Sequence, residues 1–403
     1  MVNQLASGRE RTLLKHLHNA LEFGLHFERR FEPWFRPLID RTLRDPMAAV
    51  LQWLINLRRE DEGLGLAEES PRPDEDAFLQ DIIVTMAQQM RNHFPPGAYQ
   101  RGGNTKTHGL VRGTVTIRDD LPAHLRQGIF AHAREFPAWV RYSGPGPNVP
   151  ADIDDVGFVS MAIKLMDVPG PKLWDDERAT QDLICICTPT FVTPDTRANA
   201  TLQHWSLREM PVFYFLNPRD THLLDFLMQS LWNETQYNPL GQRYYGCVPY
   251  LLGEGRAMQY AFYPRTEVYK DIPGLPWRAP DNYLRDNMVR TLAEKDVEFD
   301  ILVQVQTDPF RMPIENNAVL WPEKLSPRIP VATLRIPRQK FDSPAQFEFV
   351  GRLSYNPWHC LPEHRPLGNQ SRARRRMYEE LSKLRQSVNK TPHIEPTGHE
   401  VFD

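Results

Sequence analysis

Residues 109–117 read GLVRGTVTI, a stretch in which apolar and polar side chains alternate. That alternation is typical of a β-strand with one buried face. Six further stretches show a similar alternation, and each is bounded by Gly, Pro or Asp: 139–144, 159–166, 182–188, 257–264, 300–307 and 328–336. Short strands joined by long, proline-rich connections predict an antiparallel β-barrel.

Helical patterns flank and interrupt these strands. Apolar residues recur at three- and four-residue spacing through the first ninety residues, which predicts helices there, including 46–59 and 74–94. Further helices are predicted at 223–232, 282–295 and 370–389. The fold class is therefore α+β, with a barrel core, C-terminal helices and an added N-terminal helical segment. We divide the chain into a helical extension (1–95), a barrel domain (96–390) and a tail (391–403).

Composition excludes several classes of protein. The chain has 403 residues, with 48 Lys and Arg against 51 Asp and Glu, so it lacks the basic excess of a nucleic-acid binder. No window approaches the ~18 uncharged apolar residues of a membrane span. The charged N-terminus does not resemble a secretory signal, so we expect a cytoplasmic protein. Only Cys185 and Cys187 of the four cysteines lie close together, a spacing that predicts reduced thiols rather than a zinc site.

The first predicted helix carries an aromatic stripe, formed by Phe23, Phe27, Phe31, Trp34 and Phe35. We favour its interpretation as a helix side that faces the core. The alternative is a face that contacts a membrane surface, a lipid or a partner.

The predicted C-terminal helix carries the side chains that most clearly suggest a chemical function. Arg374 and Tyr378 are four residues apart, and Arg385 lies seven beyond Tyr378, so all three share one helical face. An arginine one turn from a phenol favours the phenolate. Tyrosinate is a known axial ligand of haem iron. An R-x-x-x-Y spacing is common on helices, however, and predicts little alone.

Several motifs of this chain resemble those of the haem catalases, in the same order. They are QRGGNTKTHGLVRG (100–113), VRYSG (140–144), DDVGFVSMAIKL (154–165), DLICICTPTFVTPD (182–195), HWSLREMP (204–211), LVQVQT (302–307), LWPEKLSPRIPVATLRI (320–336), YNPW (355–358) and RRRMY (374–378). The resemblance spans roughly residues 100 to 385.

This resemblance implies a bound haem b with Tyr378 as its proximal iron ligand. Arg374 would then hydrogen-bond to the phenolate. Arg101, Arg141 and Arg385 would face the haem propionates through charge-assisted hydrogen bonds.

Two further assignments follow from the resemblance. Ser143, in VRYS, takes the position of the family's serine beside the distal base. GRLSY at 351–355 offers Tyr355 as a competing iron ligand, although its arginine is only three residues before the tyrosine. We prefer Tyr378.

The distal side departs from the family pattern. Asn104 stands where catalases have a histidine, or Thr105 does if the gap is moved by one residue. His108 is the nearest histidine, and a bulge could bring it closer. Ile186 and Cys187 occupy the positions of the two family asparagines. Because an amide cannot take and return a proton at neutral pH, either His108 is the base or hydrogen peroxide is dismutated poorly.

The sequence thus predicts a haem-dependent oxidoreductase acting on peroxide or on an organic (fatty-acid) hydroperoxide. One alternative is a hydroperoxide isomerase, by fold-level analogy with the coral allene oxide synthases. Another is a catalase-like scaffold that binds haem or lipid without catalysis. A third assigns the N-terminal helices to lipid binding or partner docking. The oligomeric state is left open.

Overall fold

The computed structural model describes residues 8–155, 157–217 and 220–402. The helices are α1 (Gly8–Thr42), α2 (Arg44–Leu57), α3 (Glu75–His93), α4 (Thr196–Leu207), α5 (Val212–Leu216), α6 (Leu223–Ser230), α7 (Tyr283–Glu294), α8 (Pro344–Arg352) and α9 (Asn369–Asn389). The strands are β1 (Thr107–Ile117), β2 (Glu135–Ser143), β3 (Ser160–Leu165), β4 (Gln181–Ile186), β5 (Tyr244–Tyr245), β6 (Tyr250–Leu251), β7 (Ala257–Pro264), β8 (Val297–Val305) and β9 (Ile329–Ile336).

The strands form one antiparallel sheet that closes on itself. Its order is β5-β4-β3-β2-β1-β9-β8-β7-β6, and β5 also pairs with β7, so eight strands make a barrel and β6 is appended to β7. Closure removes the exposed sheet edges that would otherwise invite aggregation. The predicted α+β fold with an antiparallel barrel is confirmed.

Side-chain alternation divides each strand between the barrel interior and its outer surface. On β2, Val140 and Tyr142 belong to the large apolar cluster that fills the barrel. Arg141 and Ser143 alternate with them and lie on the outer surface of the barrel, where they are nevertheless buried. A barrel of eight strands is just wide enough for side chains to fill its interior. The interior therefore leaves no room for a large ligand, and any such site must lie outside the barrel.

Helix α1 turns its polar side towards the protein. Glu32 and Arg36 are buried, whereas the aromatic stripe is largely exposed, with Trp34 63% accessible. The expectation that this stripe faces the core is therefore wrong. Pro33 lies within the helix and cannot bond to the carbonyl of Arg29, and the hydroxyl of Thr235 donates to that carbonyl instead (2.5 Å).

The last residues of the chain lie against the barrel. Glu395 accepts hydrogen bonds from the amides of Arg178 and Ala179, and Glu400 accepts one from the indole of Trp139 (2.9 Å). Among the described residues, no helix combines the length and the apolar character that crossing a membrane requires.

Candidate functional site

A cavity of about 270 Å³ lies between the outer surface of the barrel and helix α9. The barrel wall is built from side chains that point outward on three neighbouring strands. In the sheet register, Arg141 pairs with Ala162 and Ala162 with Ile184; one row further, Ser143 pairs with Ser160 and Ser160 with Ile186. The pairing of β2, β3 and β4 thus fixes the order of groups along this wall.

The facing wall is one side of α9, which contributes Arg374, Met377, Tyr378, Leu381, Ser382 and Arg385. This spacing is that of a single helical face. The helix is anchored by Arg372, whose guanidinium contacts the carboxylates of Glu69, Glu75 and Glu315 within 2.6–2.9 Å. Helix α3 adds Met86, and α4 adds Asn199, Leu202 and Gln203.

Three guanidiniums meet at one end of the cavity. Arg141 and Arg385 are buried, and Arg101 is half-buried. Arg101 donates to the carbonyls of Val350 and Leu353, both at 2.8 Å. Arg385 donates to the carbonyls of Gly351 and Leu353.

The third guanidinium, that of Arg141, donates to the carbonyl of Asn104 (2.6 Å) and to the hydroxyls of Thr107 and Ser143 (2.8 and 3.0 Å). No carboxylate within the described part of the chain lies within 4.0 Å of any of the three guanidiniums. Neutral acceptors alone thus face these charges.

Burial makes these charges costly. It lowers the pKa of Arg101 to about 10. Burial and the neighbouring Arg101 lower the pKa of Arg385 to about 9 and that of Arg141 well below its usual value. A buried cation is normally paired with an anion. The cluster therefore has the electrostatic character of a binding site for an anionic ligand.

Arg374 and Tyr378 lie at the opposite part of the α9 face. Arg374 is buried, its Nη1 has no hydrogen-bond partner in the described structure, and its guanidinium lies over the ring of Phe191 at 5.1 Å. Although burial opposes it, the neighbouring phenol of Tyr378 raises the pKa of Arg374. Tyr378 is half-buried and lines the cavity. The unpartnered guanidinium of Arg374 thus lies one helical turn before this phenol, on the same face of α9.

Tyr355, the competing tyrosine, also lines the cavity, but beside the arginine cluster. Its buried hydroxyl has no partner among the described residues, and its ring lies over Lys164 Nζ at 5.4 Å. Burial raises its pKa, which keeps the phenol protonated. The neighbouring cations Lys164, Arg101 and Arg141 oppose this rise in the pKa but do not cancel it.

The loop that holds Tyr355 is fixed by a buried ionic cluster under the cavity. Lys164 Nζ bonds to Glu177 and lies 2.7 Å from Asp182, and His359 bonds to Asp182 at 2.9 Å. Asp182 also accepts the amide of Asn356 (2.8 Å). Glu177, Asp182 and His359 have the proximity of metal ligands, but the lysine ammonium already supplies the cation among them. We interpret the cluster as structural.

Asn104 lines the cavity and is held in a left-handed backbone conformation (φ +52°). Its backbone amide donates to the carbonyl of Pro145, and its side-chain oxygen accepts a hydrogen bond from Ser160 Oγ at 2.6 Å. Ile186, on the next strand, presents an apolar side chain beside Ser160. Among the described lining residues, this part of the cavity therefore offers an amide and hydroxyls but no proton acceptor that titrates near neutral pH.

His108 is not among the residues that line the cavity. It lies at an irregularity of β1, between Thr107 and Gly109, and is almost completely buried. Its Nδ1 is 3.7 Å from Asp152, which also contacts Lys106 (2.7 Å). Burial, and then Lys106, lower its pKa well below the usual value, so the ring is neutral.

The structure thus brings together seven of the eight residues selected from the sequence: Arg101, Asn104, Arg141, Ser143, Arg374, Tyr378 and Arg385. Ser143 bonds to Arg141 rather than to a base. Sequence reasoning missed Ser160 and the contribution of α4. The outward position of Ser160 in VSMAIKLM was a usable signal, since its neighbours Met161 and Ile163 are apolar and face the core.

No family model matches the chain, and no curated protein matches it by sequence. Its structure is similar to a fungal catalase (TM-score 0.59, 16% identity, covering 86% of this chain and 70% of that one) and to a bacterial catalase (0.53, 16%, 85% and 70%). It is likewise similar to catalase A of Saccharomyces cerevisiae (0.57, 13%, 86% and 72%). The resemblance noted in the sequence therefore extends to the three-dimensional structure, and the chain has the catalase fold.

Proposed function

We propose that the cavity binds haem b, with Tyr378 as the iron ligand, and that the protein is an oxidoreductase acting on a peroxide or an organic hydroperoxide. The observation that carries this proposal is the charge of the cavity. Four arginines line it, and the described lining contains neither an acid nor a histidine. A dianionic, largely apolar ligand would complement such a lining.

The four arginines have two roles in this proposal. Arg101, Arg141 and Arg385 would bind the two propionates, which relieves their mutual repulsion. Arg374 would donate its unpartnered Nη1 to the Tyr378 oxygen. Met377 and Leu381, on the same helix face, and Ile184, on the barrel, supply apolar contacts for a planar ring system. Bound ferric haem supplies the redox chemistry by which a peroxide O–O bond is broken.

The substrate preference follows from the groups around Asn104. Splitting hydrogen peroxide efficiently needs a base that moves a proton from one oxygen to the other, a contribution of roughly 10²–10⁴-fold. The Asn104 amide and the Ser160 hydroxyl can orient a peroxide, but neither accepts a proton at neutral pH. We therefore expect slow turnover of hydrogen peroxide. The apolar side chain of Ile186 beside Ser160 better suits the bulkier group of an organic hydroperoxide, for example a fatty-acid hydroperoxide.

Two related functions follow from the same absence of a base in the described lining. A hydroperoxide isomerase of the allene oxide synthase type needs no net proton shuttle at the distal side. A haem-binding protein without catalysis needs none either. Product analysis with a fatty-acid hydroperoxide separates the three, because a peroxidase consumes a reducing co-substrate, an isomerase does not, and an inert binder leaves the hydroperoxide intact.

The test of haem binding is a visible spectrum of protein produced with ample haem. We expect a Soret band and one haem per chain. Tyr378→Phe should change the ligand-sensitive bands and weaken haem binding, whereas the matched control Tyr355→Phe should retain the wild-type spectrum. Protein without a Soret band, or a spectrum that follows Tyr355 instead, would overturn the proposal.

A further inference from the structure

Helix α1 has an inverted amphipathic character for a helix at a protein surface. Arg36 donates to the carbonyl of Leu231 and bonds to Glu32 (2.8 Å), and Arg30 bonds to Asp154 (2.5 Å), all on the side that faces the protein. The opposite side is apolar and exposed. Surface helices of globular proteins ordinarily have the reverse arrangement. Apart from Phe31, which contacts Trp277, the outer apolar side of α1 is exposed in the described part of the chain.

The exposed side follows a regular coiled-coil repeat. We define the α1 seam as the positions that alternate by four and three residues: Leu13, Leu17, Ala20, Gly24, Phe27, Phe31, Trp34 and Leu38. All are exposed except Phe31, which packs against the exposed Trp277 (5.5 Å between ring centroids). A spacing of 3.5 residues is the signature of helices that pair along a/d positions. It favours another helix over a flat surface as the partner.

We propose that the α1 seam pairs antiparallel with the α1 seam of a second copy of this chain. The spacing of the seam is the same when read from either end. A two-fold axis between Gly24 and Phe27 therefore brings every seam position opposite another one: Gly24 to Phe27, Ala20 to Phe31, Leu17 to Trp34 and Leu13 to Leu38 of the second copy. In heptad terms each such layer joins an a position to a d position, as antiparallel coiled coils require.

The sizes of the side chains select this orientation. The first half of the seam ends in its smallest residues, Ala20 and Gly24, and the second half begins with two phenylalanines. Antiparallel pairing places each small residue opposite a large one, which gives layers of similar volume. Parallel pairing would instead place Gly24 against Gly24, leaving a void, and Phe27 against Phe27, where two large rings compete for one layer.

The exposed area is sufficient for a stable dimer. Four aromatic side chains on this side are 39–70% exposed, two of them in the seam (Phe27 and Trp34) and two beside it (Phe23 and Phe35). At ~150–250 Å² per aromatic side chain, they expose on the order of 400 Å² of apolar surface. With the leucines of the seam, the apolar area approaches the ~800 Å² per partner of a standard interface.

Charge argues against a lipid surface as the partner. A helix that lies on an anionic membrane carries a basic polar face. In α1, however, Arg29, Arg30 and Arg36 are engaged with the body of the protein, and Lys15 pairs with Glu209 at 3.0 Å. None of these four is free to make a basic rim beside the seam.

The test measures the mass of the full-length protein in solution and the geometry of its dimer. Sedimentation velocity should show a dimer at micromolar concentration. Phe27→Glu should raise the dissociation constant at least 100-fold, because each dimer then buries two unpaired carboxylates, while the matched control Val84→Glu, on the exposed side of α3, should remain dimeric. A wild-type monomer at 50 μM would overturn the proposal.

Cross-linking tests the orientation. An equimolar mixture of Ala20→Cys and Phe31→Cys chains should form a mixed disulfide dimer, whereas each variant alone should not; the four native cysteines are buried. Symmetric 20–20 or 31–31 cross-links would overturn the antiparallel arrangement. The dimer proposal would be overturned in favour of a membrane contact if the wild-type protein were monomeric and floated with phosphatidylcholine–phosphatidylglycerol vesicles, and if Phe27→Glu abolished this flotation.

Discussion

Ser160 Oγ donates a hydrogen bond to Asn104 Oδ1 across 2.6 Å. The bond joins β3 to the segment before β1 and fixes the orientation of the Asn104 amide. In the proposed haem site, the distal position would therefore be occupied by an amide donor of fixed orientation. A donor of this kind can orient the oxygen of a ligand but cannot remove a proton from it.

Restoring a base at this position should restore peroxide chemistry. We expect Asn104→His to raise the rate of hydrogen peroxide turnover about 10²-fold or more, within the range of general acid–base catalysis. Histidine is among the residues that tolerate a left-handed backbone, so the fold should accept it. Oxygen release measured with an electrode checks the result. Asn104→Gln, which keeps the amide, is the control and should stay slow; equal rates in both variants would contradict this account.

The cluster of Arg101, Arg141 and Arg385 should lower the free energy of unfolding when no anion is bound. Replacing Arg385 by Gln removes one of three mutually repelling charges, so we expect the free energy of unfolding of haem-free protein to rise on the order of 1 kcal/mol. Haem affinity should fall at least tenfold. Thermal denaturation and haem titration measure the two effects.

Arg376→Gln is the control for this experiment, because Arg376 is exposed on the other side of α9 and pairs with Glu380. It should change neither quantity appreciably. If Arg385→Gln bound haem as tightly as the wild type, the cluster would not be an anion site.

The buried cluster around His359 should make stability depend on pH. Although burial and Lys164 oppose it, hydrogen bonds to Asp176 and Asp182 raise the pKa of His359 to about 9. Because the folded pKa lies above the unfolded value of about 6.5, this contribution is fully present below pH 6.5 and is lost as the pH rises through 9. We expect a loss of about 1–3 kcal/mol over that window, measured by urea denaturation. His359→Gln should flatten the dependence, and an unchanged slope would contradict it.

The placement of His108 makes a separate prediction about the distal base. Since its ring lies against Asp152 and does not line the cavity, His108→Gln should change the turnover of any hydroperoxide by less than twofold. A loss greater than tenfold, with the haem spectrum unchanged, would instead identify His108 as the base. Steady-state kinetics with hydrogen peroxide and with a fatty-acid hydroperoxide distinguish these outcomes.

The barrel could be predicted because its strands alternate regularly and are bounded by turn residues. The two-residue strands β5 and β6 could not, since they are too short to carry a period, although β5 closes the barrel. Helix α4 was also missed, because its apolar residues do not form a continuous stripe.

The α9 part of the site was predictable because helical spacing alone places Arg374, Tyr378 and Arg385 on one face. The distal part was not, because the position of His108 depends on a one-residue irregularity in β1 that the sequence does not reveal. The exposed stripe of α1 has the same spacing as a buried one, so its direction could be read only from the polar contacts on the other side of the helix.

Two of the three carboxylates around Arg372 connect the segment before the barrel to helix α9. Glu69 and Glu75 precede the barrel, whereas Arg372 opens the helix that carries Tyr378. A shortened protein that starts at residue 96 would keep every polar residue of the cavity yet lose two of the three anions that fix the first turn of that helix. If such a truncation abolished the proposed haem binding, the cause would therefore be the displacement of α9 rather than the removal of a residue that contacts the haem.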